Sequence, residues 1–318
     1  MAHVAASHTR PATNKSFLTP KRREAVIGYL FASPWIVGFV CLTLGPMIFS
    51  LYASLTAYHI VDTPQWVGLD NYKFIFQHDN QFRISLGNTF YYVLIKTPLV
   101  ISLSLVVAVL LNMPLPGQRI FRMIYYMPTV TTGVAASLLW VWLLNPEGIV
   151  NKGLALIHIQ GPNWFYDPAW SKPALIFMGL WYVGSPVLIL LAGLNGVPRH
   201  LYEAAEVDGA GMWRRFWNIT IPMLSPTLLF LVITNVIGAF QIFNSAFVAS
   251  NAVSNGAAHP GDPGQSLLFY EVYLYARAFG TSLDMGYGSA LAWILFVIVL
   301  AVTGIQLYLS KRWVYYEN

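Results

Sequence analysis

Six long apolar stretches dominate the sequence and limit what the chain can fold into. An α-helix needs roughly 20 apolar residues to cross the hydrocarbon core of a bilayer, and each stretch reaches that length. The apolar residues run continuously and do not alternate at a period of two, which favours helices over barrel strands. The sequence therefore predicts an all-α integral membrane protein with spans at 25–55, 86–111, 120–144, 173–194, 222–248 and 289–309.

Composition excludes several other classes of protein. Hydrophobic residues make up 56% of the chain and charged residues only 10%, which is too apolar for an ordinary soluble domain. Lys and Arg stand at the ends of the apolar stretches, so the net charge of +5 does not indicate a nucleic-acid surface. Cys41 is the single cysteine and no H-E-x-x-H pair occurs, so we expect no metal site.

The distribution of Lys and Arg predicts the orientation in the membrane. Twelve of the 18 basic residues fall on one side, which the positive-inside rule makes cytoplasmic. This places both tails, 1–24 and 310–318, and the loop 195–221 in the cytoplasm, with the transmembrane domain at 25–309. The loops around Asn71, Asn163 and Asn255 then face outside. The first apolar stretch is too long for a signal-peptide core, so we expect an uncleaved first span.

The cytoplasmic loop contains a compact charged segment, EAAEVDGAGMWRRF, at 203–216. The residues before Gly209 favour a short helix, the two glycines interrupt it, and a second short helix is predicted from Met212 to Trp217. Small residues beside large aromatic ones fit the groove of another protein. An amphipathic loop lying on lipid headgroups remains the alternative.

The same segment carries a resemblance to a known family. The family pattern is E-A-A, three residues, G, nine residues, I, one residue, then L-P. The segment resembles this pattern, which is found in the cytoplasmic loop of membrane subunits of bacterial binding-protein-dependent ABC importers. It covers Glu203, Ala204, Ala205, Gly209, Ile219 and Pro222, with Ile221 where leucine is usual. The resemblance extends from about Tyr29 to Tyr308 and is closest to sugar permeases of the maltose and glycerol-phosphate type. After the fifth span the chain has SNAVSNGAAHPGDPGQS instead of the compact T-x-G-G-P usual there.

The resemblance implies a type I importer permease in the bacterial cytoplasmic membrane. The loop would be a coupling helix that sits in a cleft of an ATPase subunit, with contacts from Glu203, Ala204, Ala205, Asp208, Gly209, Arg214 and Phe216. The implied partners are a second permease subunit forming a heterodimer, two ATPase subunits, and an extracytoplasmic sugar-binding protein. The chain has no Walker A pattern, so it is expected to be no enzyme itself, to bind no cofactor, and to leave ATP and Mg²⁺ to the ATPase subunits.

Candidate cargo residues lie in the fourth and fifth spans. Amides and hydroxyls beside aromatic rings suit a sugar, because hydroxyl groups need hydrogen-bond partners and C–H faces stack on rings. Hydrogen bonding between helices is the alternative role for the polar residues. The candidates are Thr234, Asn235, Gln241, Phe243 and Asn244 in the fifth span and Trp181 and Tyr182 in the fourth.

Lys96 is a further candidate for the cargo path. It lies ten residues into the second span, roughly 15 Å along the helix, where a charge is expensive and is usually paired or functional. Three roles remain open: an ion pair with a partner subunit, binding of an acidic group on the cargo, or exposure to a wet cavity.

Two rival functions remain. One is import of another small solute, such as an acidic saccharide, glycerol-phosphate or an amino acid. The other is an integral membrane enzyme, which would need clustered titratable groups. Apart from Lys96, and Arg122 at the cytoplasmic end of the third span, the spans contain no acid, base or histidine.

Overall fold

The computed structural model describes residues 19–113, 116–254 and 260–315. The N-terminal tail up to residue 18, residues 255–259 of the third outer loop and the last three residues of the C-terminal tail lie outside this part. The chain divides into two compact units, Met1–Tyr52 and Ala53–Asn318. The described part of the first unit is one helical stretch. The second unit contains the β-ribbon and the remaining helices.

Helices account for most of the described residues, with only one short β-ribbon. Strands β1 (Thr56–Ala57) and β2 (Gln65–Trp66) pair antiparallel, with Thr56 opposite Trp66. A 3₁₀ turn covers Leu180–Tyr182, and π-helical turns cover Val40–Leu44 and Phe216–Thr220. The α-helices are α1 Pro20–Phe39, α2 Gly45–Ser54, α3 Asp70–Gln77, α4 Asn80–Asn112, α5 Gln118–Val130, α6 Gly133–Leu143, α7 Ile149–Leu156, α8 Pro168–Gly179, α9 Gly184–Gly196, α10 Arg199–Val207, α11 Met212–Arg215, α12 Ile221–Phe240, α13 Asn244–Val253, α14 Tyr270–Phe279 and α15 Met285–Ser310.

Each predicted span contains helix, but two of the six are bent. Four helical stretches in the described chain are long and apolar enough to cross a membrane, namely Glu24–Ser54, Asn80–Asn112, Met212–Val253 and Met285–Ser310. The other two are helix pairs, with α5 and α6 meeting at 104° and the α8 stretch meeting α9 at 46°. Counting each pair as one span gives the six that the sequence predicts.

The break in the third predicted span has a local cause. Thr131 and Thr132, both extended, separate α5 from α6, with ψ values of 143° and 136°. β-Branched residues lose side-chain freedom in a helix and are favoured in extended backbone. The break therefore falls on two neighbouring residues that favour extended backbone.

The second unit contains two buried apolar clusters stacked along α4. One cluster joins the first half of α4 to the helices α8 and α12 to α15, and includes Phe82, Leu175 and Phe240. The other joins the last part of α4 to α9 and the start of α12, and includes Leu190 and Leu224. Ile95 packs against the first cluster and Ile101 against the second, and α4 contributes no residue between them to either cluster.

A buried carboxylate ties three helices together at the end of the unit that is predicted to face outside. Asp79 caps α4 by accepting from the Phe82 backbone N–H at 3.0 Å. Its other oxygen accepts from the hydroxyls of Tyr273 in α14 and Tyr287 in α15. Burial, and then hydrogen bonding to Asp79, raise the pKa of Tyr273, so this phenol remains a donor. The first turns of α4 and α15 are thereby held against α14.

Candidate functional site

Three helix breaks meet at one cleft in the second unit. Its volume is about 230 Å³. The third predicted span contributes the start of α6, the fourth contributes its 3₁₀ turn, and the fifth contributes the non-helical link between α12 and α13. Irregular backbone at membrane depth is tolerated where it lines a cavity, because unpaired polar groups then have solvent or ligand to bond. The lining residues are Tyr92, Gly133, Ser137, Tyr182, Gly238, Gln241, Ile242, Phe243, Asn244 and Ser245.

Four of the predicted cargo residues meet at this cleft. Gln241, Phe243 and Asn244 come from the link after α12, and Tyr182 comes from the facing 3₁₀ turn. The lining combines two amides, hydroxyl groups and aromatic rings, and none of these side chains carries a charge. Such a surface offers both hydrogen-bond partners and ring faces to a polyhydroxylated molecule.

Two predicted residues of the fifth span bond within their own helix. The Thr234 hydroxyl donates to the Phe230 carbonyl at 2.9 Å, and the Asn235 amide donates to the Leu231 carbonyl at 3.0 Å. They lie below the cleft on α12 and do not line it. The sequence predicted that Thr234 and Asn235 contact the cargo or bond to another helix. Their side-chain donors instead bond carbonyl groups of α12.

Trp181 also lies outside the cleft lining. Its ring packs edge-on against Trp140 of α6 with centroids 5.5 Å apart, and Trp140 packs in the same way against Phe177. This aromatic group fixes the 3₁₀ turn of the fourth span against α6. Trp181 therefore supports the wall of the cleft from behind, and Tyr182 forms the wall.

The sequence analysis did not identify the cleft residues of the second and third predicted spans. Tyr92 of α4 and Gly133 and Ser137 of α6 line the cleft. Tyr92 precedes Lys96 by four residues and therefore shares its helix face, which is a signal that the sequence contained. No local pattern distinguishes Ser137, because its position depends on the bend between α5 and α6.

Lys96 lies one helical turn beyond Tyr92, next to the cleft. Its Cγ and Cε atoms are both 3.7 Å from the position that a Cβ on Gly179 would occupy, and the Tyr92 hydroxyl is 3.1 Å from the same point. The absence of a side chain at Gly179 thus lets the lysine and the phenol pack against the α8 backbone. The residue is half-buried, and no described residue forms a hydrogen bond or ion pair with its ammonium group.

The predicted bend in the cytoplasmic segment is present at Gly209. This residue has φ of +72°, and the turn closes α10 through hydrogen bonds from Gly209 N–H to Glu206 and from Ala210 N–H to Ala205. A Cβ added to this glycine would meet no atom beyond its chain neighbours within 4 Å. The requirement for glycine is therefore the positive φ itself and not the space around it.

The second short helix differs from the sequence prediction. Helix α11 ends at Arg215 and runs through the π-helical turn at Phe216–Thr220 directly into α12. Two contacts tie α10 to this stretch: the Tyr202 hydroxyl hydrogen-bonds the Thr220 hydroxyl at 2.9 Å, and Arg215 pairs with Glu206 at 3.3 Å. These contacts join α10 to the stretch that continues into the fifth predicted span.

Most of the predicted contact residues of this segment are exposed. Glu203, Ala204, Asp208, Gly209 and Arg214 are open to solvent. Ala205 and Phe216 are half-buried, and the Phe216 ring packs against those of Trp213 and Trp217. The large apolar side chains are the most exposed, with Val207 at 88% and Trp213 at 75%. Such an apolar tip is typical of a surface that another protein covers.

Comparisons with known proteins identify relatives over nearly the whole chain. Residues 89–315 match the family described as binding-protein-dependent transport system inner membrane component. A probable ABC transporter permease protein, YesP of Bacillus subtilis, is 39% identical, covering 93% of this chain and 94% of that protein. The lactose transport system permease protein LacF of Rhizobium radiobacter is 31% identical, covering 94% and 98%.

A solved structure has the same fold. A chain of a bacterial alginate ABC transporter, crystallised in complex with an alginate pentasaccharide-bound periplasmic protein, superposes with a TM-score of 0.78. The match covers 91% of this chain and 96% of that one, at 21% identity. At this identity the likeness concerns the fold.

Proposed function

The chain belongs to the family of binding-protein-dependent transport system inner membrane components, and we propose that it forms half of the translocation path of an ATP-driven carbohydrate importer. It is a multi-pass membrane subunit of a transporter and not an enzyme itself. Its cargo is a mono- or oligosaccharide delivered by a binding protein. The relatives named for lactose transport and as ABC permeases support this assignment.

The cleft at the three helix breaks is the observation that carries the proposal. It gathers neutral amides, hydroxyl groups and rings from four predicted spans, beside the first apolar cluster, to which the lining residues Tyr92 and Ile242 belong. The ammonium group of an amino acid favours a carboxylate partner, and the lining contains none. A saccharide needs hydrogen-bond partners and ring faces, which the lining supplies.

The exposed cytoplasmic segment couples this cleft to ATP hydrolysis. We place α10 and the exposed tip around Val207 and Trp213 in a groove of a separate ATPase subunit. Because α11 continues into α12, motion of that subunit moves the helix whose far end forms the cleft. ATP and Mg²⁺ are bound by the ATPase subunits, and this chain binds no cofactor.

The remaining partners and the orientation complete the proposal. A second permease subunit forms a heterodimer with this chain, and an extracytoplasmic binding protein docks on the outer loops. Both termini lie in the cytoplasm of a bacterial cell, which the excess of Lys and Arg at that side supports.

Gly238 offers a direct test of the cleft as the cargo path. A Cβ at this position would have no neighbour within 4 Å, and the residue lines the cleft, so a larger side chain can extend into it. Leucine also favours helix more than glycine does. We expect Gly238→Leu to leave the complex assembled while lowering saccharide uptake about tenfold, the effect of an overpacked site. Uptake by cells carrying the complete importer measures it.

Gly304→Leu is the matched control for this substitution. Gly304 lies in α15, has equally open space around it, and does not line the cleft. Its uptake should equal that of the wild type. Equal uptake in both variants would remove the cleft from the cargo path.

A further inference from the structure

The predicted spans contain one cation in mid-membrane and no anion to balance it. Lys96 is the sole charged residue in the interior of the six stretches, and none of them contains an Asp or Glu. No described residue forms an ion pair with it. A charge at this depth is costly unless an opposite charge or water compensates it. The described residues supply no such anion, so an opposite charge or water from outside them compensates Lys96.

Two helices begin at the cleft, so the partial positive charges of their N-termini lie there. Helix α6 begins at Gly133 and α13 begins at Asn244, and both residues line the cleft. Neither N-terminus has a side-chain cap, so the first backbone N–H groups of each helix remain without an intrahelical acceptor. The dipole of each helix adds a partial positive charge there, which favours anions.

Two tyrosine hydroxyls are an independent sign of a ligand at this site. Tyr92 is only 5% exposed, and its hydroxyl opens to the cleft without a hydrogen bond to any described residue. The Tyr182 hydroxyl of the same lining is buried and has no hydrogen-bond partner among the described residues. A buried polar group without a partner is expensive, so such groups normally have a ligand or water to bond. The Tyr92 hydroxyl and the Lys96 side chain meet over Gly179, which places the unpaired donor beside the unpaired cation.

From these groups we infer that the cargo is an acidic saccharide, one bearing a carboxylate, phosphate or sulfonate, and that Lys96 receives this charge as the cargo passes the cleft. The inference rests on the proposed function, because it names the class of saccharide that the importer carries. The neutral amides and rings of the cleft bind the sugar portion. Lys96, one turn along α4 toward the end predicted to be cytoplasmic, binds the acidic group.

The test compares acidic saccharides with neutral counterparts of the same size. Cells carrying the complete importer are given three pairs: trigalacturonate and its methyl ester, a hexose phosphate and the hexose, and a hexose sulfonate and the hexose. We expect the wild type to import the acidic member of at least one pair. Lys96→Gln should lower that uptake about tenfold or more, the loss of one charge-assisted hydrogen bond, and Lys96→Arg should retain most of it.

Lys152→Gln is the control, because this exposed lysine in α7 lies away from the cleft and its loss removes the same charge. Assembly of each purified complex is checked by size-exclusion chromatography.

Dissociation of the Lys96→Gln complex would show that Lys96 pairs with the second permease subunit and would overturn the inference. Import of neutral saccharides alone, or an equal loss for both members of a pair, would overturn it while leaving carbohydrate import intact. Import of no saccharide would reject the proposed function and the inference with it.

Discussion

Single glycines determine the local geometry at both ends of the proposed transport path. Gly209 supplies the positive φ that closes the cytoplasmic bend, and its position was predictable because a helix-favouring run stops there. Gly179 and Gly238 act by leaving space, for Lys96 and for the cleft respectively. Their roles were not predictable, since space around a glycine depends on which helices pack against it.

Replacement of Gly209 tests the bend at the residue scale. Gly209→Val forces a β-branched residue to positive φ, at a cost of about 1 kcal/mol or more, and redirects α11. We expect the variant to insert in the membrane and pair with the second permease subunit but to lose saccharide-stimulated ATP hydrolysis. ATPase activity of the purified complex, measured with binding protein and saccharide, checks this.

Gly211→Ala is the matched control for this variant. Gly211 lies two residues on, has φ of −66° and open space around it, so alanine fits without strain. Its stimulated activity should be normal. Normal stimulation in Gly209→Val as well would mean that the bend plays no part in coupling.

At the scale of elements, the sequence predicted where helices lie better than where they break. The apolar stretches and the charged segment are local properties, so their helices appear close to the expected positions. The apolar pattern runs without interruption through the breaks at Thr131–Thr132 and at 241–243, and these breaks assemble the cleft. The sequence placed Gln241, Phe243, Asn244 and Tyr182 among the cargo residues by chemistry. It could not separate them from Thr234 and Asn235, whose side-chain donors bond their own helix.

The contact between α10 and the start of α12 is the element that should transmit motion. The Tyr202–Thr220 hydrogen bond links them at 2.9 Å, and Thr220 is buried. Tyr202→Phe and Thr220→Val should each reduce saccharide-stimulated ATP hydrolysis. The double variant should lose no more than the larger single loss, because both substitutions break the same bond.

A double-mutant cycle on the stimulated rate measures this coupling. Glu206 and Arg215 also bridge α10 and α11, but the glutamate is 73% exposed, so Arg215→Ala should have a small effect. Additive losses for Tyr202→Phe and Thr220→Val would show that the two hydroxyls act separately.

At the scale of the molecule, the fold has the proposed cargo cleft beside one apolar cluster, and an exposed segment, predicted to be cytoplasmic, that continues into one wall of the cleft. The all-α membrane fold and the importer family follow from both the sequence and the comparisons. The single path from α10 through α12 to Gln241 and Asn244 is visible only in the structure. We propose that this path joins cargo passage to ATP hydrolysis in a separate subunit.

Protection of the cleft by cargo is the most direct test of the central claim. Cys41 is the single cysteine, so Cys41→Ser gives a cysteine-free chain into which Ser137→Cys is introduced. Ser137 lines the cleft, and Gly304→Cys in α15 serves as the control outside it. The complex in proteoliposomes, supplied with binding protein and ATP, is treated with a thiol reagent. Transported saccharide should slow labelling of residue 137 and leave residue 304 unaffected, whereas equal labelling of residue 137 with and without saccharide would contradict the account.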